Sequence, residues 1–179
     1  MVLNKNNNFP IVLWFSGLSG SGKTTIALAL KDELVRNYFQ KVIVLDGDEL
    51  RSGINKNLSF SNEDRSEANR RAAELAKFFF NENFIVIVST ISPFESDRKL
   101  AKKIINSDER FKIVSISASL KTCMQRDPKG LYSLVEQGKI PNFTGYDSSY
   151  ENPNNPDILI DTESQDIKKC VKILIDKII

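Results

Sequence analysis

The chain has 179 residues, 41% of them hydrophobic, a net charge of +2 and no histidine. That length and apolar content suit one domain with a full core. The small net charge gives no global footprint for nucleic acid or an acidic membrane, and the missing imidazole excludes Ser-His-Asp triads, His-metal sites and histidine general bases. Acid–base chemistry therefore falls to Asp, Glu, Lys or a hydroxyl. The two cysteines, Cys123 and Cys170, stand far apart and in no metal-ligand spacing, so they are expected as buried free thiols in a reducing compartment.

Met1–Asn8 is polar and lacks the apolar stretch of a secretory signal. Ile11–Phe15 reads as a buried strand and is too short to span a bilayer. A cytoplasmic protein with no membrane and no nucleic-acid partner is expected. Directly after that strand comes Gly17-Leu18-Ser19-Gly20-Ser21-Gly22-Lys23-Thr24, a complete G-x-x-x-x-G-K-[ST] pattern. It leads into a helical segment, Thr24–Asn37, with Ile26, Ala27, Leu30 and Leu34 on one face. Strand, loop and helix together make a phosphate cradle. Gly17, Ser19, Gly20, Ser21, Gly22, Thr24 and Thr25 are the expected nucleotide-binding residues. Backbone N–H groups and the helix dipole face the phosphates, Lys23 reaches the β- and γ-phosphates, and the Thr24 hydroxyl ligates Mg²⁺. The pattern alone serves ATP and GTP alike.

Val42–Leu45 is the next strand, expected beside the cradle strand. It ends in Asp46-Gly47-Asp48, with Arg51 close behind. Carboxylates at a strand's carboxyl end face the ligand in such sheets. Either Asp can hold Mg²⁺ or orient and deprotonate an attacking hydroxyl, whereas a lone Asp there is more often a helix cap. Phe60 sits in a polar loop, Asn57–Glu63, where a core role has little support. Asp64–Asn81 is helical, with Ala68, Ala72, Leu75 and Phe79 on one face. Phe78, Phe79 and Phe80 are expected in the core, and Arg70 and Arg71 in surface ion pairs. Ile85–Val88, Ile113–Ile116 and Ile158–Ile160 are further buried strands, and Gln165–Ile178 a last helix.

Asp127–Pro156 breaks the alternation. It carries four prolines and three glycines, a short helical piece around Leu131–Gln137, and no good strand. A long irregular segment in a compact domain reads as a lid. The fold class is α/β: a P-loop NTPase-type parallel sheet with helices on both faces, one domain over residues 1–179 with the lid at about 127–156.

Several blocks recur together in a known family: Gly17–Thr25; Asp46-Gly47-Asp48 with Arg51; Phe60-Ser61 with Asp64-Arg65; Arg70-Arg71; Ile91-Ser92-Pro93 with Asp97-Arg98; Arg126-Asp127-Pro128-Lys129-Gly130-Leu131-Tyr132; and Phe143-Thr144-Gly145 with Tyr150-Glu151 and Pro153. Over Ile11 to about Asp161 the chain resembles the adenylylsulfate (APS) kinases, which move the γ-phosphoryl of ATP to the ribose 3′-hydroxyl of adenosine 5′-phosphosulfate. The resemblance implies ATP and Mg²⁺, a small-molecule nucleotide acceptor and a homodimer. Lys23, Asp46 and Asp48 are then catalytic, with Thr24 and Asp46 on the metal and Arg126 near the donor adenine. Arg51 and Arg65 hold the acceptor's anion or base, Phe60 stacks on the base, and Lys129 helps with phosphate charge as the lid closes. Ser92 matches a serine described in the family as a phosphoserine site, although direct in-line transfer needs no covalent step.

Departures fall on the acceptor side. The family's Asn three residues after the Asp-Arg arginine is Ala68 here, with Asn69 one place on and still at i+4 from Arg65. Glu95 stands where a basic residue is usual, and Ser133-Leu134 where Lys-Lys or similar is usual. These are changes that a pyrimidine acceptor would need, so cytidine diphosphoramidate, the acceptor of a sister branch in capsule modification, is the alternative. A regulatory GTPase would need Asn-Lys-x-Asp, and neither Asn4-Lys5 nor Asn55-Lys56 is followed by that Asp. A P-loop module that only binds nucleotide would need neither the acceptor-side arginines nor the lid.

Overall fold

The computed structural model describes residues 9–38 and 41–179, so the reading of Met1–Asn8 lies outside the described residues. Five strands form one parallel sheet in the order β2-β3-β1-β4-β5. They are β1 (Ile11–Ser16), β2 (Val42–Asp46), β3 (Ile85–Ser89), β4 (Phe111–Ser117) and β5 (Ile158–Asp161). All five apolar runs anticipated from the sequence are strands. β1 is buried at every position and β3 likewise, as strands covered on both faces must be.

Alternation along the strands divides the core into two layers. Ile11, Leu13 and Phe15 of β1, with Ile85 and Ile87 of β3, face α1 (Lys23–Asn37) and α7 (Ile167–Ile178). Val12, Trp14, Val86 and Val88 face the other way, onto α3 (Asn62–Asn81) and α4 (Glu95–Ile105). The small residues Ala72, Ala73 and Ala76 let α3 lie close against the sheet. Three shorter helices complete the fold: α2 (Gly47–Ser52), α5 (Leu120–Arg126) and α6 (Leu131–Glu136). Of these, α6 is the short helical piece expected around Leu131–Gln137, while α2 and α5 are too short to show a clear periodicity in the sequence.

Two expectations are corrected. β2 is not beside β1, because β3 lies between them; the Asp46 carboxylate spans that gap by projecting toward α1. Phe78 is 64% exposed and touches Phe79 edge-on. Only Phe79 and Phe80 of the three pack against the core, since three consecutive residues of a helix cannot share one face. Arg70 and Arg71 do pair on the surface, both with Glu67, and both cysteines are buried and free.

Candidate active site

The cradle is set by close backbone contacts. A side chain at Gly17 would run into the Ile116 carbonyl, and one at Gly20 (φ 77°) would come within 2.8 Å of the Cys123 carbonyl. Only glycine fits these positions. Lys23 Nζ donates to the carbonyls of Gly17 (2.9 Å) and Leu18 (2.8 Å). Burial lowers its pKa to about 8, the dominant effect over the nearby Asp46 and Asp48 charges. An ammonium held inside its own loop and stripped of water is poised for phosphate oxygens.

Thr24 Oγ1, in the first turn of α1, donates to Asp46 Oδ2 at 2.8 Å. The other Asp46 oxygen accepts from Asp48 N at 2.9 Å and caps α2. Asp46 is buried and Asp48 exposed, and the Asp48 carboxylate pairs with Lys129 of the lid. Thr24 and Asp46 offer hard oxygen donors. No cluster of three metal-ligating carboxylates or thiols occurs among the described residues. A hydroxyl plus one carboxylate fits Mg²⁺, which keeps waters and substrate phosphates as its remaining ligands.

Elsewhere in the same cavity, the Arg51 Cζ sits over the Phe60 ring, 4.1 Å from its centroid, and the Arg65 Cζ lies 5.8 Å from it. Phe60 is 60% exposed, an apolar platform facing the cavity. Arg65 is buried and mostly committed to the protein: Nε donates to the Phe60 carbonyl (2.8 Å), Nη2 to the Asn142 carbonyl (2.5 Å), and Nη1 to Thr144 Oγ1. It therefore ties the platform to the lid. Asn69 lines the cavity, yet its Nδ2 donates to the Arg65 carbonyl and Asp97 Oδ2, and its Oδ1 accepts from Thr90. Its amide faces the α3–α4 seam and does not stand in for the one missing at Ala68. Ser92 has φ 45°, a strained value for a non-glycine residue. Its Oγ accepts from Trp14 Nε1 (3.0 Å), and its carbonyl accepts from Arg98 Nη1 (2.6 Å). With 1% exposure, its hydroxyl serves the loop's shape.

Glu95, the charge reversal, accepts twice from the buried Arg98. Arg98 also donates to the Glu151 carbonyl at the end of the lid, and Glu151 Oε2 accepts from the first N–H of α4. The reversed charge is absorbed in a structural network.

On the donor side, Arg126 spans the loop with Nη1 to Thr162 Oγ1 (3.0 Å) and Nη2 to the Thr162 carbonyl (2.6 Å). Thr162 donates in turn to the Ser21 carbonyl (2.8 Å). Motif reasoning missed Thr162, but it follows directly on β5, at a strand's carboxyl end, where the general rule for such sheets would have found it. The segment expected as a lid packs over this floor. Tyr132 donates to the Ser19 carbonyl at 3.0 Å and stacks edge-on against Phe143, while Tyr150 Oη meets Ser16 Oγ at 3.0 Å.

One cavity of about 1290 Å³ runs from the cradle to the Arg51–Phe60 wall under the lid. Of the residues anticipated from the sequence, Gly17 and Ser21 alone do not line it.

Residues 9–161 match the family model for adenylylsulphate kinase. The adenylyl-sulfate kinase of Bacillus licheniformis is 47% identical over 171 residues, 96% of this chain and 86% of its own. That of Pseudomonas aeruginosa is 49% identical over 166 residues, 93% and 84% of the two chains. The fold superposes on the Mycobacterium tuberculosis APS kinase CysC in complex with AMPPNP and APS, with a TM-score of 0.89 and 38% identity over 94% of this chain and 96% of that one.

Proposed function

The chain belongs to the adenylylsulphate kinase family, and from that premise we propose the reaction its cavity carries: ATP-dependent transfer of the γ-phosphoryl group to the ribose 3′-hydroxyl of adenosine 5′-phosphosulfate. The observation that supports it best is the continuity of the cavity. Its 1290 Å³ joins the phosphate cradle to the aromatic wall and exceeds the roughly 300–1,000 Å³ of pockets for one small ligand. Two nucleotides fit, and the CysC structure of the same fold holds an ATP analogue and APS.

In this reading the donor triphosphate lies in the Gly17–Thr25 loop. Its phosphates replace the Gly17 and Leu18 carbonyls as partners of Lys23, whose charge then stabilises the transferred group. Arg126 and Thr162 border the donor base. Thr24 and Asp46 hold Mg²⁺, which neutralises phosphate charge when bound. Asp48, at the start of α2, orients and accepts the proton of the acceptor hydroxyl, released from Lys129 as that lysine turns to phosphate. The acceptor base stacks on Phe60 with the Arg51 guanidinium behind it. The lid excludes water, which would otherwise take the phosphoryl group.

We place the enzyme in the cytoplasm, where two buried thiols stay reduced, as a single catalytic domain that works as a homodimer. No described helix is long and apolar enough to cross a membrane. Incubation with ATP, Mg²⁺ and adenosine 5′-phosphosulfate should yield equal amounts of ADP and a 3′-phosphorylated product. ADP release with no phosphorylated nucleotide would overturn the reading.

A further inference from the structure

Among the described residues, three buried side-chain atoms have no hydrogen-bond partner: Ser21 Oγ, Asn55 Oδ1 and Ser89 Oγ. Ser89 is 3% exposed and lines the cavity. It is the last residue of β3, after the apolar run Ile85–Val88. Had the position served packing alone, a fifth apolar residue would have filled it without leaving a buried hydroxyl unpaired.

The strand register places that hydroxyl. Ser89 is the direct partner of Asp46 on β2 and of Phe15 on β1. Residues in register on neighbouring parallel strands project to the same face. Ile85 and Ile87, four and two positions earlier on β3, face α1, so Ser89 faces α1 as well. Val42 and Val44 give Asp46 the same facing, and its bond with Thr24 of α1 is the direct evidence for it. Thr24, Asp46 and Ser89 therefore stand on one side of the sheet at the carboxyl end of adjacent elements. β3 is the strand between Asp46 and the cradle strand, so Ser89 fills the gap that β2's displacement leaves.

We propose that Ser89 is a positioning residue for the Mg²⁺ of the bound nucleotide, its hydroxyl accepting a hydrogen bond from a water on the ion beside Thr24 and Asp46. The inference rests on the Mg²⁺-nucleotide reading above. Mg²⁺ gives up its waters reluctantly and is usually bound with several in place. Those waters need fixed acceptors, and groups that hold them orient the ion as much as its direct ligands do. An oxygen without a partner in the protein, nine-tenths buried and turned to that side, is such an acceptor.

The test compares wild type with Ser89→Ala by calorimetric titration of ADP into the full chain, in EDTA and across a Mg²⁺ series. Wild type should bind ADP more tightly as Mg²⁺ rises. Ser89→Ala should match wild type in EDTA but need roughly tenfold more Mg²⁺ to reach half of that tightening. Its melting temperature should not fall, because the lost hydroxyl has no partner in the protein. Ser89→Thr, which keeps the hydroxyl, should restore the Mg²⁺ response. An unchanged Mg²⁺ response in Ser89→Ala overturns the assignment alone. Weaker ADP binding in EDTA also overturns it, by showing a role in the fold or in nucleotide contact. A wild-type protein whose ADP affinity ignores Mg²⁺ would instead overturn the metal reading on which the assignment stands.

Discussion

Thr24 Oγ1 donates to Asp46 Oδ2 across 2.8 Å, while Asp46 Oδ1 accepts from the Asp48 amide and caps α2. One carboxylate therefore does two jobs that separate substitutions can divide. Asn at 46 keeps an oxygen for the cap but loses the charge and the acceptor facing Thr24. Asp46→Asn should leave the melting temperature within a few degrees of wild type, lower kcat by at least about 100-fold, and raise the Mg²⁺ needed for half-maximal rate. Asp46→Ala should lose the same activity and about 1 kcal/mol of stability in addition. Equal melting temperatures for the two variants would show that the cap contributes nothing.

Lys23 carries a pH signature. Burial holds its pKa in the free protein at about 8, below the usual 10.5. Bound phosphates favour the charged form and raise the value, so nucleotide binding takes up a proton wherever free Lys23 is partly neutral. ATP affinity should be flat in this respect below pH 7 and fall as pH rises through 8 to 9.5. Titration at pH 8.5 in two buffers of different ionisation enthalpy should show net proton uptake. For folding the sign is opposite. The unfolded chain holds this proton more tightly than the native one, so the free protein gains stability between pH 8 and 10.5. Lys23→Met should accordingly fold, resist heat at neutral pH at least as well as wild type, and lose nearly all turnover. A variant keeping a tenth of normal kcat would place the phosphate site elsewhere.

The sheet and the cradle were legible in the sequence because each rests on a local signal. Ile and Val runs mark strands buried on both faces, and a loop from Gly17 to Thr24 between strand and helix has one physical use. Strand order was not legible: nothing in the β2 sequence says that β3 separates it from β1. Nor were long-range partners. Arg65 was expected on the acceptor, but three of its N–H groups meet Phe60, Asn142 and Thr144, two of them almost eighty residues away. Glu95 read as a lost acceptor contact, yet its carboxylate accepts from Arg98 three residues on, a local pairing that helix spacing allows. Charge at one position has no meaning until its partner is known.

The Phe60 platform makes a selective prediction. Its ring is exposed and backed by Arg51 at 4.1 Å, and it makes no contact with the phosphate cradle among those described. Phe60→Ala should raise KM for adenosine 5′-phosphosulfate at least about tenfold, since stacking on one aromatic is commonly worth roughly 1–3 kcal/mol, and leave KM for ATP within twofold. Phe60→Trp should keep most of the affinity. A matching rise in both KM values would make Phe60 a support for the lid, not a platform for the acceptor.

Lys129 and Asp48 join the lid to the floor through an exposed ion pair. Such a pair adds little to stability, so its importance must be kinetic. Lys129→Met should leave the melting temperature unchanged and reduce kcat more than it raises either KM. Added salt should slow wild type more than the variant, because screening weakens the attraction of Lys129 to Asp48 and then to phosphate, both of which the variant has already lost. Equal salt sensitivity would detach the pair from lid closure.

Arg65 offers the sharpest test of what the lid is for. Its guanidinium is buried and fastens Asn142 and Thr144 of the lid to the Phe60 carbonyl on the floor. Gly145, next along, packs against Leu18 of the cradle, so the clamp also sets how the lid meets the phosphate loop. Removing it should not prevent ATP from binding, because the cradle contacts of Lys23 and Thr24 are made without it. It should instead let the lid open while ATP is in place. Water then competes with the acceptor hydroxyl for the γ-phosphoryl group. Arg65→Ala should therefore form more ADP than phosphorylated acceptor, where wild type forms them one to one. Amide exchange over residues 139–148 should quicken in the variant while α1 stays protected. Arg65→Lys should rescue only part of the coupling, since one ammonium cannot span the three oxygens that the planar fork reaches. If Arg65→Ala keeps the one-to-one ratio and loses only acceptor affinity, the guanidinium belongs to the acceptor and the lid is held by Tyr132 and Tyr150.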